Sequence, residues 1–206
     1  GGGDVAGWWL QHPEGNDRVK ACYRCGSSVG TMDDHLSALA TDGSRSPPAT
    51  DGGGTAAVLC PLGCGVPYCS TECAQADTDA GHPLLCIGPV SSEDHSLYQF
   101  KLLGYERGGP DLWQLLGLAA RCVAAELSET GCTGLADKAS LEPPDAWPRT
   151  WGAPAEAASI LEDSWAFLRE GLAERGATLG PTHTAQWWAQ VVCTIHRHHV
   201  VVEAPG

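Results

Sequence analysis

LCPLGCGVPYCSTECAQADTDAGHPLLC, residues 59–86, gathers Cys60, Cys64, Cys69, Cys73, His82 and Cys86 at intervals of three, four, three, eight and three intervening residues. Two thiolates separated by two or three residues reach one tetrahedral metal without strain. The segment therefore reads as three ligand pairs, and Cys22-x2-Cys25 upstream adds a fourth. Four pairs make eight ligands, enough for two closed structural zinc sites. A catalytic zinc would keep one position for water, and no pair is left short here. Cysteines can also sit in a core as small hydrophobes. That explanation suits the isolated Cys122, Cys132 and Cys193 better than four close pairs. Cys69 and Cys73 are four apart, so a helix beginning after Ser70 would carry both on one face.

The rest of the 206-residue chain sets the bounds. Hydrophobic residues make up 43% and charged residues 18%, enough apolar material for a core and too little charge for wholesale disorder. The net charge is −13, from 12 Lys+Arg against 25 Asp+Glu. With no cationic surplus to displace phosphate counterions, direct nucleic-acid binding is not expected, and neither is an anionic membrane surface. The longest apolar run, Leu115 to Leu127, is interrupted by Arg121 and too short to span a bilayer. No secretory signal is visible at the start, so the cysteines read as reduced and metal-binding in an intracellular compartment, nucleus or cytoplasm, rather than as a disulfide scaffold. The chain opens on Gly1 and its sole methionine is Met32, the look of a fragment or a processed piece.

Residues 5–11, VAGWWLQ, read as a short strand. Residues 37–57 are rich in Ser, Gly, Pro, Asp and Thr and read as a loop or disordered insert. A helical period sets in near residue 96. Residues 112–127, LWQLLGLAARCVAAEL, are apolar nearly all round and predict a buried helix started by Gly109-Pro110-Asp111. A proline-rich loop covers 131–154. Leu161, Trp165, Leu168 and Leu172 then mark the buried face of a helix over 155–175, with Glu156, Asp163 and Glu170 opposite. Pro181-Thr182-His183-Thr184 opens a last helix with Trp188, Val191, Val192 and Ile195 on one side, and 199–203 read as a closing strand. Of Trp187 and Trp188, one is expected in the core and one at the surface. Cys193, His196, His198 and His199 lie close together, but the histidines are read as solvated groups near a helix end rather than as parts of a third metal site. The carboxylate pairs Glu93-Asp94 and Glu162-Asp163 are read as solvated too.

The ligand order points to a family. RING and PHD modules place histidine fourth or fifth among eight ligands, whereas His82 is seventh. Residues 59–86 resemble a MYND-type zinc finger. That resemblance implies an interleaved arrangement in which Cys22, Cys25, Cys69 and Cys73 hold one zinc and Cys60, Cys64, His82 and Cys86 hold the other. MYND fingers that read proline-rich peptides carry a glutamine just after the sixth cysteine and a tryptophan four residues on. Here these positions are Ala74 and Thr78, although Asp77 matches. A purely structural finger is the alternative to a peptide reader.

The likeness extends outward. WWLQHPEGNDRVKACYRC (8–25), HSLYQFKLLGYERGGPDLWQLLGLAARCVAA (95–125) and WWAQVVCTIHRHHVVVEAP (187–205) resemble plant and algal SET-domain protein-lysine methyltransferases in which a MYND finger interrupts the SET domain. On this resemblance the fold is α-rich with little β. It comprises a partial SET-like strand segment at 1–21, a cross-braced two-zinc finger at 22–86, and a helical region at 96–206 ending in a strand. The Asn-His-Ser cofactor motif and late tyrosine of that family's catalytic half do not occur in this sequence. The expectation is a chain that binds two Zn2+ and has no catalytic or cofactor-binding residues of its own. S-adenosylmethionine would be used only by the complete protein. Partners would be proteins or a protein substrate, histones included. The rival expectation is a free-standing MYND interaction adaptor.

Overall fold

The computed structural model describes residues 21–27, 29, 57–88, 94–128 and 154–198. Among them are five helices and one two-stranded sheet, an α-rich fold with little β. The strands expected at 5–11 and 199–203, Cys132, and all but the last residue of the insert expected at 37–57 and of the loop expected at 131–154 lie outside the described residues. The chain divides into two compact units, Gly1–Val90 and Ser91–Gly206.

The first unit is built on a hairpin. β1 (Val58–Leu59) pairs antiparallel with β2 (Pro67–Tyr68), with Val58 opposite Tyr68 and Leu59 opposite Pro67. The seven residues between them form a tight knuckle. Cys60 N–H donates to Val66 O at 2.8 Å and Gly63 N–H donates to Cys60 O at 3.0 Å. Gly63 and Gly65 turn the chain with φ of 84° and 80°, a region that side chains disfavour. The first knuckle of the chain, at Cys22–Cys25, is closed by Gly26 N–H donating to Cys22 O at 2.9 Å and Cys22 N–H donating to Ser27 O at 2.7 Å. Tyr23 N–H then donates to Pro67 O at 2.9 Å, tying this knuckle to β2.

α1 (Thr71–Asp79) follows β2 at once. Ser70 caps it in extended conformation, its hydroxyl accepting from Cys73 N–H at 3.3 Å. The short α2 (His82–Leu85) begins after Gly81, whose φ is 94°. Gly88 closes the unit by lying against the Cys60–Cys64 knuckle. A Cβ built there would stand 2.3 Å from Cys64 N and from Gly63 C. Among the described residues its core consists of Cys22, Val29, Cys60, Tyr68, Ala74 and Cys86, half of it cysteine.

The second unit is helical. α3 (Ser96–Leu127) starts well before the helix expected at 112–127, but it is two helices joined at Gly109, where φ is 66° and ψ is −162°. The expected start at Gly109-Pro110-Asp111 is therefore the corner of a helical hairpin. Phe100 and Trp113, thirteen positions apart, bring ring centroids within 6.2 Å. A straight helix would hold them about 20 Å apart. A Cβ on Gly104 would lie 3.0 Å from Trp113 Cα, so a glycine there lets the two arms close up.

α4 (Pro154–Glu174) buries Ile160, Leu161, Trp165, Leu168 and Leu172. It ends at Gly176 (φ 81°), with Ala177 N–H returning to Leu172 O at 3.0 Å and Gly176 N–H to Ala173 O at 2.9 Å, a left-handed C-terminal cap. α5 (Ala185–His198) is capped by Thr184, whose hydroxyl accepts from Trp187 N–H at 3.2 Å. Trp188 Nε1–H donates to Ser164 Oγ at 2.9 Å inside the core. Both Trp187 and Trp188 are buried, at 4% and 0% exposure, correcting the expectation of one at the surface. Trp165 explains this: it packs edge-on against Trp187 and nearly parallel to Trp188, so neighbouring positions of α5 both meet α4.

Candidate metal centre

The hairpin, the two knuckles, α1 and α2 bring the eight sequence-selected residues into two groups. Cys22, Cys25, Cys69 and Cys73 form one, and Cys60, Cys64, His82 and Cys86 the other. Within each group all donor atoms lie within 4.8 Å of one another. The first knuckle supplies Cys22 and Cys25. Cys69 lies at the junction of β2 and α1, and Cys73 in the first turn of α1. The β1–β2 knuckle supplies Cys60 and Cys64, and α2 presents His82 at its start and Cys86 just past its end.

The spacings suit tetrahedral zinc. With Zn–S near 2.3 Å and Zn–N near 2.0 Å, donors around one ion stand about 3.8 Å apart for S···S and about 3.5 Å for S···N. In the four-cysteine group, Cys25 Sγ lies 3.6 Å from Cys69 Sγ, and Cys69 Sγ lies 3.5 Å from Cys73 Sγ. In the other, His82 Nε2 lies 3.2 Å from Cys60 Sγ and 3.5 Å from Cys64 Sγ, while Cys60 and Cys86 sulfurs stand 3.9 Å apart. Soft thiolates with one imidazole select zinc over hard, oxygen-seeking cations.

Within each group the thiols pull one another's ionisation in opposite directions. Burial pushes Cys64 up to about 12, helped by Cys60 and Cys86. Burial also raises Cys69, with Cys73, Cys25 and Cys22 adding to the shift. Cys25 goes the other way. Burial opposes its ionisation, but hydrogen bonding to Ser27 and the nearby Cys22 and Cys69 thiols outweighs this, and its pKa falls to about 6. A dication among the sulfurs removes the conflict by letting every thiol release its proton.

Asp77 was not singled out as a site residue, yet it orients the histidine. It lies on α1 four residues after Cys73 and is only 2% exposed. Its Oδ2 accepts from Tyr68 Oη–H at 2.7 Å and stands 3.3 Å from His82 Nδ1. With the Nδ1 proton facing that carboxylate, the Nε2 lone pair faces Cys60 and Cys64, the arrangement that fixes a metal-bound imidazole. Burial pushes the Tyr68 phenol well up, and Asp77 raises it further, so Tyr68 stays a donor. Tyr23, Tyr68 and His82 meet edge to face, with centroids 6.1–6.5 Å apart, which limits rotation of the imidazole. The available signal was a carboxylate one turn beyond a ligand on the same helix face.

The remaining candidates fall elsewhere. Cys122 and Cys193 are buried in the helical unit, and burial pushes the Cys122 thiol up to about 11, so it behaves as a small hydrophobe. His196 is half-buried rather than solvated, and the His198 side chain and His199 lie outside what the structure describes. Asp163 is also half-buried and accepts from Ser159 Oγ–H at 3.3 Å, while Glu162 and Asp94 are exposed. No helix among the described residues is long and apolar enough to cross a membrane. Comparison with protein-family models, curated proteins and solved structures finds no match to this chain.

Proposed function

We propose that residues 22–86 form a MYND-type finger holding two zinc ions. We further propose that the chain is the finger and helical insert (96–206) of a SET-plus-MYND protein-lysine methyltransferase, whose catalytic half uses S-adenosylmethionine. The observation that carries the finger is the cross-brace. The first and third ligand pairs fall in one cluster and the second and fourth in the other. Sequential pairing would instead give two independent knuckles. In this reading the metals shape a surface for protein partners or for a lysine-bearing protein substrate such as a histone tail. The net charge of −13 argues against nucleic acid as the partner.

A free-standing adaptor is the second reading, and exposed apolar side chains on the hairpin favour it. Leu59 is 61% exposed and Leu62 39%. Elemental analysis of the purified chain tests the common part. Two zinc ions per chain are expected, and one or none would reject the finger. The chain alone should not transfer methyl groups from S-adenosylmethionine to protein lysines, and methylation by residues 1–206 would overturn the division of labour. A coding sequence that continues into an Asn-His-Ser stretch supports the methyltransferase over the adaptor.

A further inference from the structure

The two clusters differ in access. Cys25 is exposed, Cys69 and Cys73 are half-buried, and Cys22 is buried. In the other cluster Cys60 and Cys86 are buried, at 5% and 2% exposure, the His82 side chain is 8% exposed, and Cys64 is half-buried. They differ in charge as well. Four thiolates around one Zn2+ leave −2, whereas three thiolates and a neutral imidazole leave −1. The more electron-rich centre thus holds the one exposed thiolate of the eight ligands, Cys25, and exposed thiolates are the first to be oxidised. Cys122 and Cys193, buried in the helical unit, do not compete.

We propose that the Cys22/Cys25/Cys69/Cys73 centre is a peroxide-sensitive, releasable zinc site that closes as a Cys25–Cys69 disulfide while the Cys60/Cys64/His82/Cys86 centre keeps its metal. The inference rests on the zinc reading of both clusters. The oxidant is hydrogen peroxide or an alkyl hydroperoxide. The Cys25 thiolate attacks one peroxide oxygen. An S–O bond forms, the O–O bond breaks, and the departing hydroxide (or alkoxide) takes up a proton. Cys69, 3.6 Å away and 44 positions along the chain, then attacks the Cys25 sulfur. The S–S bond forms, the S–O bond breaks, and a second hydroxide leaves as water. Two thiolates have supplied two electrons to one peroxide.

Only Cys22 and Cys73 remain for the ion, too few to retain it. The new bond still joins the first knuckle to the start of α1, as the metal did, so α1 stays in place and Asp77 keeps its position against His82. Cys69 also has Cys73 at 3.5 Å, but a bond between these near neighbours would leave the first knuckle untied.

The experiment treats the zinc-loaded full chain with about one molar equivalent of hydrogen peroxide, follows released zinc with a chromogenic chelator, and maps cysteines by differential alkylation and mass spectrometry. Release of about one of two zinc ions, a Cys25–Cys69 cross-link, unmodified Cys60, Cys64 and Cys86, and recovery on reduction with added zinc are expected. Loss of both ions together, loss of neither, earlier oxidation of Cys60, Cys64 or Cys86, or a dominant Cys69–Cys73 bond would overturn the inference. A chain that takes up fewer than two zinc ions before peroxide is added defeats the zinc reading itself, which is a separate result. Cys25→Ser removes a ligand and can unfold the finger, so the decisive measurement is the map of the unsubstituted chain.

Discussion

Asp77 shows how much can hang on one carboxylate. It is buried, it holds the phenol of Tyr68, and it faces the imidazole of His82. Asp77→Ala should weaken zinc at the histidine-containing centre by about 10–100-fold, the usual cost of losing a metal ligand's outer partner. Competition against a chromogenic chelator would measure this, and unchanged affinity would remove Asp77 from the site. Ser164 has the same standing in the helical unit. Its hydroxyl accepts from the Trp188 indole at 2.9 Å and donates to Leu161 O at 3.0 Å. Ser164→Ala leaves the indole N–H without that acceptor, and a loss of about 1–3 kcal/mol in denaturant unfolding is expected. The metal-ligand candidates stood out in the sequence because cysteine is scarce and its spacing is read directly. Asp77 stood out only as part of the peptide-reading pattern and Ser164 not at all, because a carboxylate or hydroxyl on a helix takes its meaning from what packs against it, and for Ser164 that is a tryptophan 24 positions away.

Two elements turn on glycine. Gly88 lies so close to the Cys60–Cys64 knuckle that a Cβ would meet backbone atoms at 2.3 Å, and backbone cannot swing aside. Gly88→Ala should therefore push the knuckle out of position and lower zinc retention at that centre, seen as faster transfer to a chelator. Gly109 sits in a backbone region nearly closed to side chains. Gly109→Ala should destabilise the helical unit by about 1–3 kcal/mol in urea unfolding, and an unchanged midpoint would mean the corner relaxes freely. The period of the helices was legible over 155–175 because Leu161, Trp165, Leu168 and Leu172 recur on one face. The arm before Gly109 was less so. Its glycines, poor helix formers in isolation, serve the close approach of the two arms, a tertiary benefit that local propensity does not record. The paired burial of Trp187 and Trp188 was hidden for a similar reason, since Trp165 reaches both.

Across the whole molecule, the two units differ in what fills them. Among the described residues, the core of the Gly1–Val90 unit is half cysteine, whereas Leu97, Leu112, Leu116, Val123, Ile160, Leu168, Leu172, Val191 and Val192 fill the helical unit. Structural zinc contributes about 10–16 kcal/mol to folding in small fingers. A strong chelator should thus melt the Gly1–Val90 unit while most helical circular dichroism survives, and simultaneous loss of both signals would contradict two separately stable units. The single nine-residue α1 has one more consequence. Cys73 belongs to one cluster, and Asp77, a turn later, steadies the histidine of the other. Whichever centre fills first therefore sets this helix in place for the second, so the second ion meets a prepared site and avoids part of the ordering cost. Loading should be cooperative. In native mass spectra recorded with zinc below saturation, empty and doubly loaded chains should predominate and the singly loaded species should fall below its statistical share.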